Sequence, residues 1–375
     1  MAISFHSIPN NYAPSDNPLT YVFSSDQTAQ DNFSFKVEVI LAGTVLSEDK
    51  VFPEVSNRAH FDASTYVLDA IDLPAKTTGL ETELLPVRGV KLRVTENYGT
   101  PPADQATSTS TETYTFKAGL SDIDWSSIDF ETDWVNQKFL TNYPQTEDWN
   151  ILRNQDVFLQ ILSDNTSQQL KIILYDANDA SINTYTVNQT YIAWQLNLSE
   201  SNLETVFSAL ELDQTAYFTI QIGTSEIRTF RYKDDYCWTA HSLMWGNRFG
   251  GWDTFVFVHN KTDKGKVKAR NYIKQFGQWD NLSFNYTPLT SGEIDFVKDI
   301  ENTGTITTEY ITRELQNWLV EGLAGLGYVL YDPAGDAVTV KITTTSWTEG
   351  QDRFDDLFFE SWKYMRTNLN RTVKL

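Results

Sequence analysis

Alternating apolar and polar residues dominate the first part of the chain. Residues 33–46 and 87–95 carry apolar side chains at every second position, which is the period of a strand buried on one face. Residues 19–24 and 111–117 continue this pattern, and turn-forming residues separate the stretches. Residues 1–119 are therefore predicted to form a β-sandwich of immunoglobulin type, although the cysteine pair of antibody domains is absent.

Other segments near the N-terminus are less regular. A turn is predicted at Ala42-Gly43, and residues 61–71 have the spacing of a short helix. Residues 99–110 are rich in Thr, Ser and Pro, which predicts an exposed loop. Residues 120–150 are acidic, contain tryptophans and follow no period, so a linker or packing arm is predicted there.

Residues 151–235 are predicted to form a second β-rich domain. The capping box Ser201-Asn202-Leu203-Glu204 indicates a short helix that extends to Leu210. A hairpin is expected to turn at residues 223–225, since glycine and polar residues interrupt two apolar runs there. The predicted strands are residues 157–162, 170–175, 182–187, 191–198, 217–222 and 226–232.

Residues 236–375 are predicted to form a C-terminal β-rich domain with one amphipathic helix. The helix is expected over about 309–323, capped by Thr308, because Ile311, Leu315, Trp318 and Leu319 make one stripe. A strand is predicted at 254–258, and a hairpin from 328–331 and 338–342. The fold class is thus mainly β: an immunoglobulin-like sandwich followed by further β-rich domains with a few short helices.

Composition narrows the range of functions. The chain has 29 Lys plus Arg against 50 Asp plus Glu, a net charge of −21. Such a charge argues against specific binding of nucleic acid or of an anionic membrane. The single cysteine, Cys237, excludes an internal disulfide framework. With no long apolar stretch and no secretion signal, we expect a soluble protein without a membrane span, made in a reducing cytoplasm.

Catalytic and cofactor motifs are missing. The four histidines are scattered, and no phosphate-binding loop or complete nucleophile elbow occurs. Acidic residues cluster in the predicted linker, but adjacent pairs such as Asp234-Asp235 and Asp355-Asp356 would point to opposite faces of a strand. We therefore predict no enzymatic activity, no cofactor and no metal. The clustered acids are Asp122, Asp124, Asp129, Glu131 and Asp133.

One segment departs from the acidic character of the chain. Its basic residues fall at even spacing, so a strand would place them on one face. Lysines are a common protection of a sheet edge against unwanted pairing. Contact with an acidic neighbouring subunit is the alternative, and the sequence does not decide between the two. The residues are Lys264, Lys266, Lys268, Arg270 and Lys274, with Tyr272 before the last.

The string Trp245-Gly246-Asn247-Arg248-Phe249-Gly250-Gly251-Trp252-Asp253-Thr254-Phe255 resembles a signature of virion structural proteins from tailed phages that infect Bacteroidetes, including the crAss-like group. Three further stretches resemble the same group in the same order: the basic segment, residues 306–308, and residues 328–331 followed by 338–347. Residues 17–25 and 61–64 are also similar to it, whereas residues 120–235 match poorly. The resemblance implies a tail, collar or ring component built of β-domains and present in many copies.

We therefore expect a non-enzymatic tail or collar ring subunit, located in the virion and made in the host bacterial cytoplasm. It would contact copies of itself and other tail or portal proteins, and an acidic lumen that conducts DNA is a further hypothesis. The alternative is a receptor- or glycan-binding module of a tail fibre, with Trp125, Trp134 and Trp149 as its candidate platform. A glycan-degrading enzyme is the third hypothesis. The candidate subunit-interface residues are Lys264, Lys266, Lys268, Arg270, Arg248 and Trp252.

Overall fold

The chain forms two compact units in the computed structural model. The first contains Met1–Asp234, Met244–Phe255 and Ala324–Leu326, and the second contains Asp235–Leu243, Val256–Leu323 and Gly327–Leu375. The structure describes residues 3–54, 56–73, 80–81, 87–153, 155–190, 192–207, 210, 212, 215–233, 240–258, 261–274, 278–279, 282–285, 292–332, 336–345, 357–367 and 370–371.

Two sheets build the N-terminal part of the first unit. One has the strand order β1-β3-β6, and the other has the order β2-β10-β8-β4-β5 with β9 paired to β8. All the pairs are antiparallel except β2 with β10. The strands are β1 (Ser4–Ser7), β2 (Ala13–Pro14), β3 (Thr20–Ser24), β4 (Ser34–Leu41), β5 (Thr44–Val51), β6 (Arg58–Asp62), β8 (Arg88–Tyr98), β9 (Ala103–Thr109) and β10 (Thr113–Phe116), with β7 (Leu80–Glu81) in another sheet.

Side chains from both sheets meet in one hydrophobic core. Tyr21 and Phe23 of β3 and Phe35, Val37 and Leu92 of β4 and β8 are completely buried in the same cluster. Phe23 packs edge-on against Phe35, with 5.0 Å between the ring centroids. Helix α1 (Ser64–Val67) and the 3₁₀ turn Leu68–Ala70 follow β6 and confirm the helical spacing predicted there. Apolar and polar residues therefore alternate in β3, β4 and β8 because every second side chain enters this shared core.

The β4–β5 hairpin turns at Ala42-Gly43, as predicted. Leu41 pairs with Thr44, so the loop has two residues, and both have positive φ, +47° at Ala42 and +84° at Gly43. Two-residue hairpin loops of this kind favour Asn-Gly, because asparagine tolerates the left-handed conformation better than alanine does.

Replacing Ala42 with asparagine is expected to stabilise the first unit by about 0.5–1 kcal/mol, since it relieves this backbone strain. The urea midpoint, followed by tryptophan fluorescence, measures the gain. Ala103→Asn is the control, because Ala103 is exposed and its φ is not positive. An equal gain in both variants would show that the turn conformation is not its source.

The exposed loop predicted for residues 99–110 is wrong for most of its length. Ala103–Thr109 forms β9 and pairs with β8 from Arg93↔Thr109 to Tyr98↔Ala103. Its side chains are exposed or half-buried on both faces. An edge strand of this kind needs no apolar alternation, so its pattern looks like that of a loop.

The rest of the first unit contains two more sheets. The five-stranded sheet has the order β11-β17-β16-β13-β14, and the three-stranded sheet has the order β12-β15-β7. The predicted hairpin is confirmed in β16 and β17, with Gly223 at a φ of +56° in its turn. The strands are β11 (Trp149–Ile151), β12 (Phe158–Leu162), β13 (Ser167–Tyr175), β14 (Ser181–Thr190), β15 (Ala193–Asn197), β16 (Tyr217–Ile222) and β17 (Arg228–Tyr232).

Three short helices lie among these strands. Within residues 120–150, helices α2 (Asp122–Trp125) and α3 (Phe130–Asp133) are capped by Ser121 and Asp129, and Phe130 is buried in a second core cluster. Helix α4 (Glu200–Val206) begins before the predicted capping box, with Ser199 at its N-cap. The capping-box prediction is therefore wrong in register. Asn202 is buried and its side-chain amide donates to Ser199 Oγ.

The second unit is built around an antiparallel sheet that includes the order β25-β26-β28-β23-β20, with β29 paired to β23. Helix α5 (Arg313–Gly322) buries Leu315, Trp318 and Leu319. The strands are β20 (Thr262–Lys274), β21 (Gln278–Trp279), β22 (Phe284–Asn285), β23 (Gly292–Thr307), β24 (Ile311–Thr312), β25 (Leu326–Tyr331), β26 (Ala337–Ile342), β27 (Leu357–Phe358), β28 (Ser361–Arg366) and β29 (Asn370–Arg371).

The start predicted for helix α5 is wrong by several residues. Thr312, not Thr308, is the N-cap, and its side chain accepts from Leu315 N at 3.4 Å. Ile311 and Thr312 pair with β27, which keeps the preceding residues extended. Thr308 is buried, and its hydroxyl accepts from Glu360 N at 2.8 Å.

The predicted fold class, mainly β with short helices, is confirmed. The predicted hairpin of residues 328–342 is confirmed in β25 and β26, although its turn at 333–335 lies outside the described residues. The strand predicted at 254–258 is confirmed as part of β19 (Trp252–Phe257), which follows β18 (His241–Gly246). Within the described ranges, no helix is long and apolar enough to cross a membrane.

Candidate assembly surface

The basic segment forms one strand of a long ribbon in the second unit. Strand β20 pairs with β23 from Thr262↔Thr305 to Lys274↔Gly292, and we call these two strands the arm. They have 13 and 16 residues, whereas a typical strand has about 5–6. The predicted strand is thus confirmed, and its partner β23 was not predicted.

The arm has a free edge. β28 and β29 pair with β23 between Asp299 and Thr307, so residues 292–298 pair with β20 alone among the described strands. β20 is the last strand in the order of the sheet. Every side chain of β20 whose burial the structure describes is exposed. A two-stranded ribbon of this kind is marginally stable in water without further contacts.

One face of the arm carries the predicted basic ladder. Lys266 and Lys268 lie opposite Glu301 and Asp299, and Lys268 forms an ion pair with Glu301. Two basic side chains therefore have acidic neighbours within the same chain. Of the other three, Lys264 and Arg270 lie opposite Thr303 and Val297, and Lys274 pairs with Gly292. Tyr272 pairs with Ile294, and the side chains of Tyr272 and Lys274 lie outside the described residues.

The place of the ladder bears on its two interpretations. β20 is an edge strand that carries a charge at alternate positions, as expected of a protected edge. Contact with an acidic neighbouring subunit stays a prediction.

On the opposite face, β20 contributes mainly small and apolar residues, whereas β23 contributes charged ones: Ala269 lies opposite Lys298, Asn271 opposite Asp295 and Ile273 opposite Glu293. Val267 lies opposite Ile300 and is 59% exposed, and Ile273 is 79% exposed. Gly265 leaves open space above the ribbon, since a methyl group there would meet only Asn302 Oδ1, at 3.6 Å. The arm thus presents a free strand edge whose two faces differ, with the basic ladder on one and the exposed Val267 and Ile273 of β20 on the other.

A charged cluster holds the root of the arm to β28. The buried Tyr364 donates its hydroxyl proton to Asp263 Oδ1 at 2.5 Å. Asp263 Oδ2 lies 3.3 Å from Lys261 Nζ and 3.6 Å from a guanidinium nitrogen of Arg366. Burial alone would raise the pKa of Asp263, but the Tyr364 hydrogen bond and the two cations outweigh it and lower the pKa.

This lowered pKa predicts a loss of stability in acid. The Asp263 carboxyl titrates at about pH 4 in the unfolded chain and below that value in the folded protein. Asp263 therefore stabilises the second unit above about pH 4, and the contribution is lost as the pH falls through the folded pKa. Asp263→Asn should weaken the unit at pH 7 and flatten its acid dependence, measured by urea unfolding at pH 3–7. The control is Asp26→Asn, at an exposed position of the first unit; an unchanged acid slope for Asp263→Asn would contradict the prediction.

Arg248 and Trp252, the other candidate interface residues, belong to the first unit and are engaged inside it. Arg248 forms an ion pair with Asp124 at 2.5 Å, and its guanidinium carbon lies 4.8 Å from the centre of the Phe249 ring. Trp252 is only 7% exposed, and its backbone N–H donates to Gln160 Oε1 at 3.1 Å. Their surroundings therefore account for them as packing residues.

The turn of residues 247–251 is held from within. The side-chain oxygen of Asn247 accepts from Phe249 N at 2.9 Å and Gly251 N at 3.1 Å, and its amide donates to Leu140 O at 2.8 Å. A methyl group at Gly250 would lie 2.2 Å from the Lys117 carbonyl oxygen. Residues 245–255, which resemble the phage signature, therefore contain a tightly packed turn of the first unit.

The three tryptophans proposed as a glycan platform are not exposed. Trp149 and Trp134 are 1% and 6% exposed, and Trp125 is half-buried against both core clusters. Trp149 stacks on Tyr143 with 4.5 Å between ring centroids, and Trp134 stacks on Phe249 at 4.7 Å. Trp134 and Trp149 are therefore packing residues, whereas Trp125 keeps part of its surface accessible to solvent.

The acidic residues of the same region have structural partners. Asp129 caps α3, Asp133 accepts from Asp129 N at 3.1 Å, and Asp124 binds Arg248. In the part of the chain that the structure describes, no three His, Cys, Asp or Glu side chains are grouped as a metal site requires. The pairs at residues 234–235 and 355–356 lie outside the described residues.

Sequence analysis missed the acidic half of the arm. Asp299 and Glu301 on β23 complement the lysines of β20, but their strand was not predicted because residues 292–307 carry no regular apolar alternation. The usable signal is two acids at even spacing that follow a basic ladder at the distance of a hairpin.

Comparison with protein-family models gives no match for this chain, and comparison with curated proteins gives none either.

Proposed function

We propose that the protein is a structural component of a phage virion, a tail or collar ring subunit that assembles through the arm and has no enzymatic activity. The observation that carries the proposal is the arm itself, a two-stranded ribbon whose strand β20 is exposed and has a free edge. Such a ribbon gains its missing contacts when a neighbouring molecule covers its edge or faces.

The N-terminal sandwich supports a building-block role. We infer that it is of the immunoglobulin type, since the three-stranded sheet β1-β3-β6 faces the sheet with the order β2-β10-β8-β4-β5. This is the arrangement of an A-B-E sheet over a G-F-C sheet that is widened at its edges. A rigid sandwich suits a subunit that is repeated many times around a virion.

Charge supports contacts between identical copies. The chain as a whole carries −21, whereas the arm presents four basic side chains on one face of β20. A neighbouring copy, with the same net charge of −21, therefore attracts this basic face at long range, and added salt weakens the attraction because the screening length falls to about 8 Å at physiological salt. Other tail or portal proteins are further partners in this proposal.

Native mass measurements over a range of protein and salt concentrations test the proposal. The wild-type chain is expected to form a closed species of many copies that dissociates as salt rises. Lys264→Glu with Arg270→Glu should abolish it, since both residues lie opposite uncharged partners and their reversal leaves the ribbon's own ion pair in place. A wild-type chain that stays monomeric under all conditions would contradict the proposal.

The matched control reverses two other exposed lysines of the same sheet, Lys341 and Lys363. Lys341→Glu with Lys363→Glu changes the net charge by the same amount and should leave assembly intact. If both double variants dissociate equally, general repulsion rather than the arm explains the effect.

A further inference from the structure

A second long edge strand lies in the first unit. β14 (Ser181–Thr190) is the last strand of its five-stranded sheet and pairs with β13 over its whole length. No described strand covers its other edge. Its ten residues make it, with β20, the longest edge strand in the described part of the chain.

β14 carries none of the charges or prolines that protect other edges, and its one register shift lies at its start, between Ser181 and Asn183. Its sequence, Ser-Ile-Asn-Thr-Tyr-Thr-Val-Asn-Gln-Thr, contains no charge, no proline and no glycine. By contrast, β5 carries Glu48, Asp49 and Lys50, and the lysines of β20 fall on one face. Natural sheets avoid long uncharged edges because these accept a further strand. The open edge of β14 is therefore a site for strand addition.

We propose that the open edge of β14 accepts strand β20 from a neighbouring copy. The proposal rests on the proposed function, since it names the surface that receives the arm. Pairing of β20 with itself would bring lysines opposite lysines, which is unfavourable, whereas an uncharged strand imposes no such repulsion. Thr184, Thr186 and Asn188 share one face of β14 and offer hydroxyl and amide oxygens to those lysines.

The two edges also fit in length and geometry. Ten residues of β14 match most of the 13 residues of β20. The two strands are different surfaces of one chain, so the contact is head-to-tail, and repetition around an axis closes a ring. The lysines of β20 thus select the uncharged edge over another copy of β20.

Charge placed on β14 tests the pairing. Thr184 and Asn188 are exposed and lie opposite the uncharged Ile173 and Gln169 on β13, with Lys171 opposite Thr186 between them. Thr184→Lys with Asn188→Lys should raise the concentration needed for assembly about tenfold or more, because its lysines would face those of β20. Thr184→Glu with Asn188→Glu is the matched variant and should assemble at least as well as the wild type.

The decisive variant changes both surfaces. Lys264→Glu with Arg270→Glu, added to the lysine pair on β14, should restore assembly, because glutamates on β20 would then face lysines on β14. If the wild type assembles and the lysine pair assembles equally well, the β14 pairing is overturned while the proposed function stands. A wild-type dimer lost in both the lysine and the glutamate pair would show β14 pairing with itself, which also overturns it. A chain that never assembles refutes the proposed function itself.

Discussion

Replacing Gly250 with alanine is expected to destabilise the first unit by more than about 3 kcal/mol. Gly250 has a φ of +81°, which alanine adopts only with strain, and the new methyl group would lie 2.2 Å from the Lys117 carbonyl oxygen. That carbonyl belongs to backbone, and the nearby Gly119 N–H donates to Arg248 O at 2.9 Å. The turn cannot move aside without breaking such contacts.

Gly43→Ala is the matched control for this variant. Gly43 has a φ of +84°, but a methyl group there would meet no atom within 4 Å. Its cost is therefore the backbone strain alone, about 1 kcal/mol. Urea unfolding of both variants separates strain from collision, and equal losses would contradict the tight packing described for residues 247–251.

Replacing Arg228 with methionine is expected to cost about 3–5 kcal/mol. Arg228 forms an ion pair with Glu226 at 2.9 Å, and the two side chains are 6% and 10% exposed. Arg228 also donates to the Tyr143 carbonyl oxygen at 2.5 Å. Methionine keeps the bulk but leaves a buried carboxylate without its cation, which is the expensive part of the change.

The neighbouring Arg231 supplies the control on the same strand. Its ion pair with Asp148 has a similar distance, 2.9 Å, but the side chains are 38% and 43% exposed. Arg231→Met should therefore cost less than about 1 kcal/mol. The double variant Arg228→Met with Glu226→Gln should recover part of the loss, because the uncompensated charge is gone. Equal costs for the two arginines would contradict the burial argument.

The sequence was informative wherever a strand buries one face. β4 and β8 alternate because Val37 and Leu92 enter the shared core while their neighbours face solvent. β9 and β23 were missed, since β9 is exposed or half-buried on both faces and the sequence of β23 lacks a regular apolar alternation. The start of α5 was displaced because tertiary pairing of Ile311 with Phe358 decides where the chain becomes helical.

The candidate site was predictable in part for the same reason. Even spacing was enough to place Lys264, Lys266 and Lys268 on one face of a strand, and the structure has that arrangement. The burial of Trp252 was not predictable, because a string of residues does not reveal that distant segments, such as Gln160, pack around it. Long-range packing, and not local propensity, therefore determines that β20 is exposed whereas the turn of residues 247–251 is packed into the first unit.

Cryo-electron microscopy of the assembled wild-type chain tests the central claim, assembly through the arm, most directly. We expect a closed ring in which residues 262–274 of each copy lie against the next copy. A ring whose arms project freely into solvent, with the copies joined elsewhere, would contradict it.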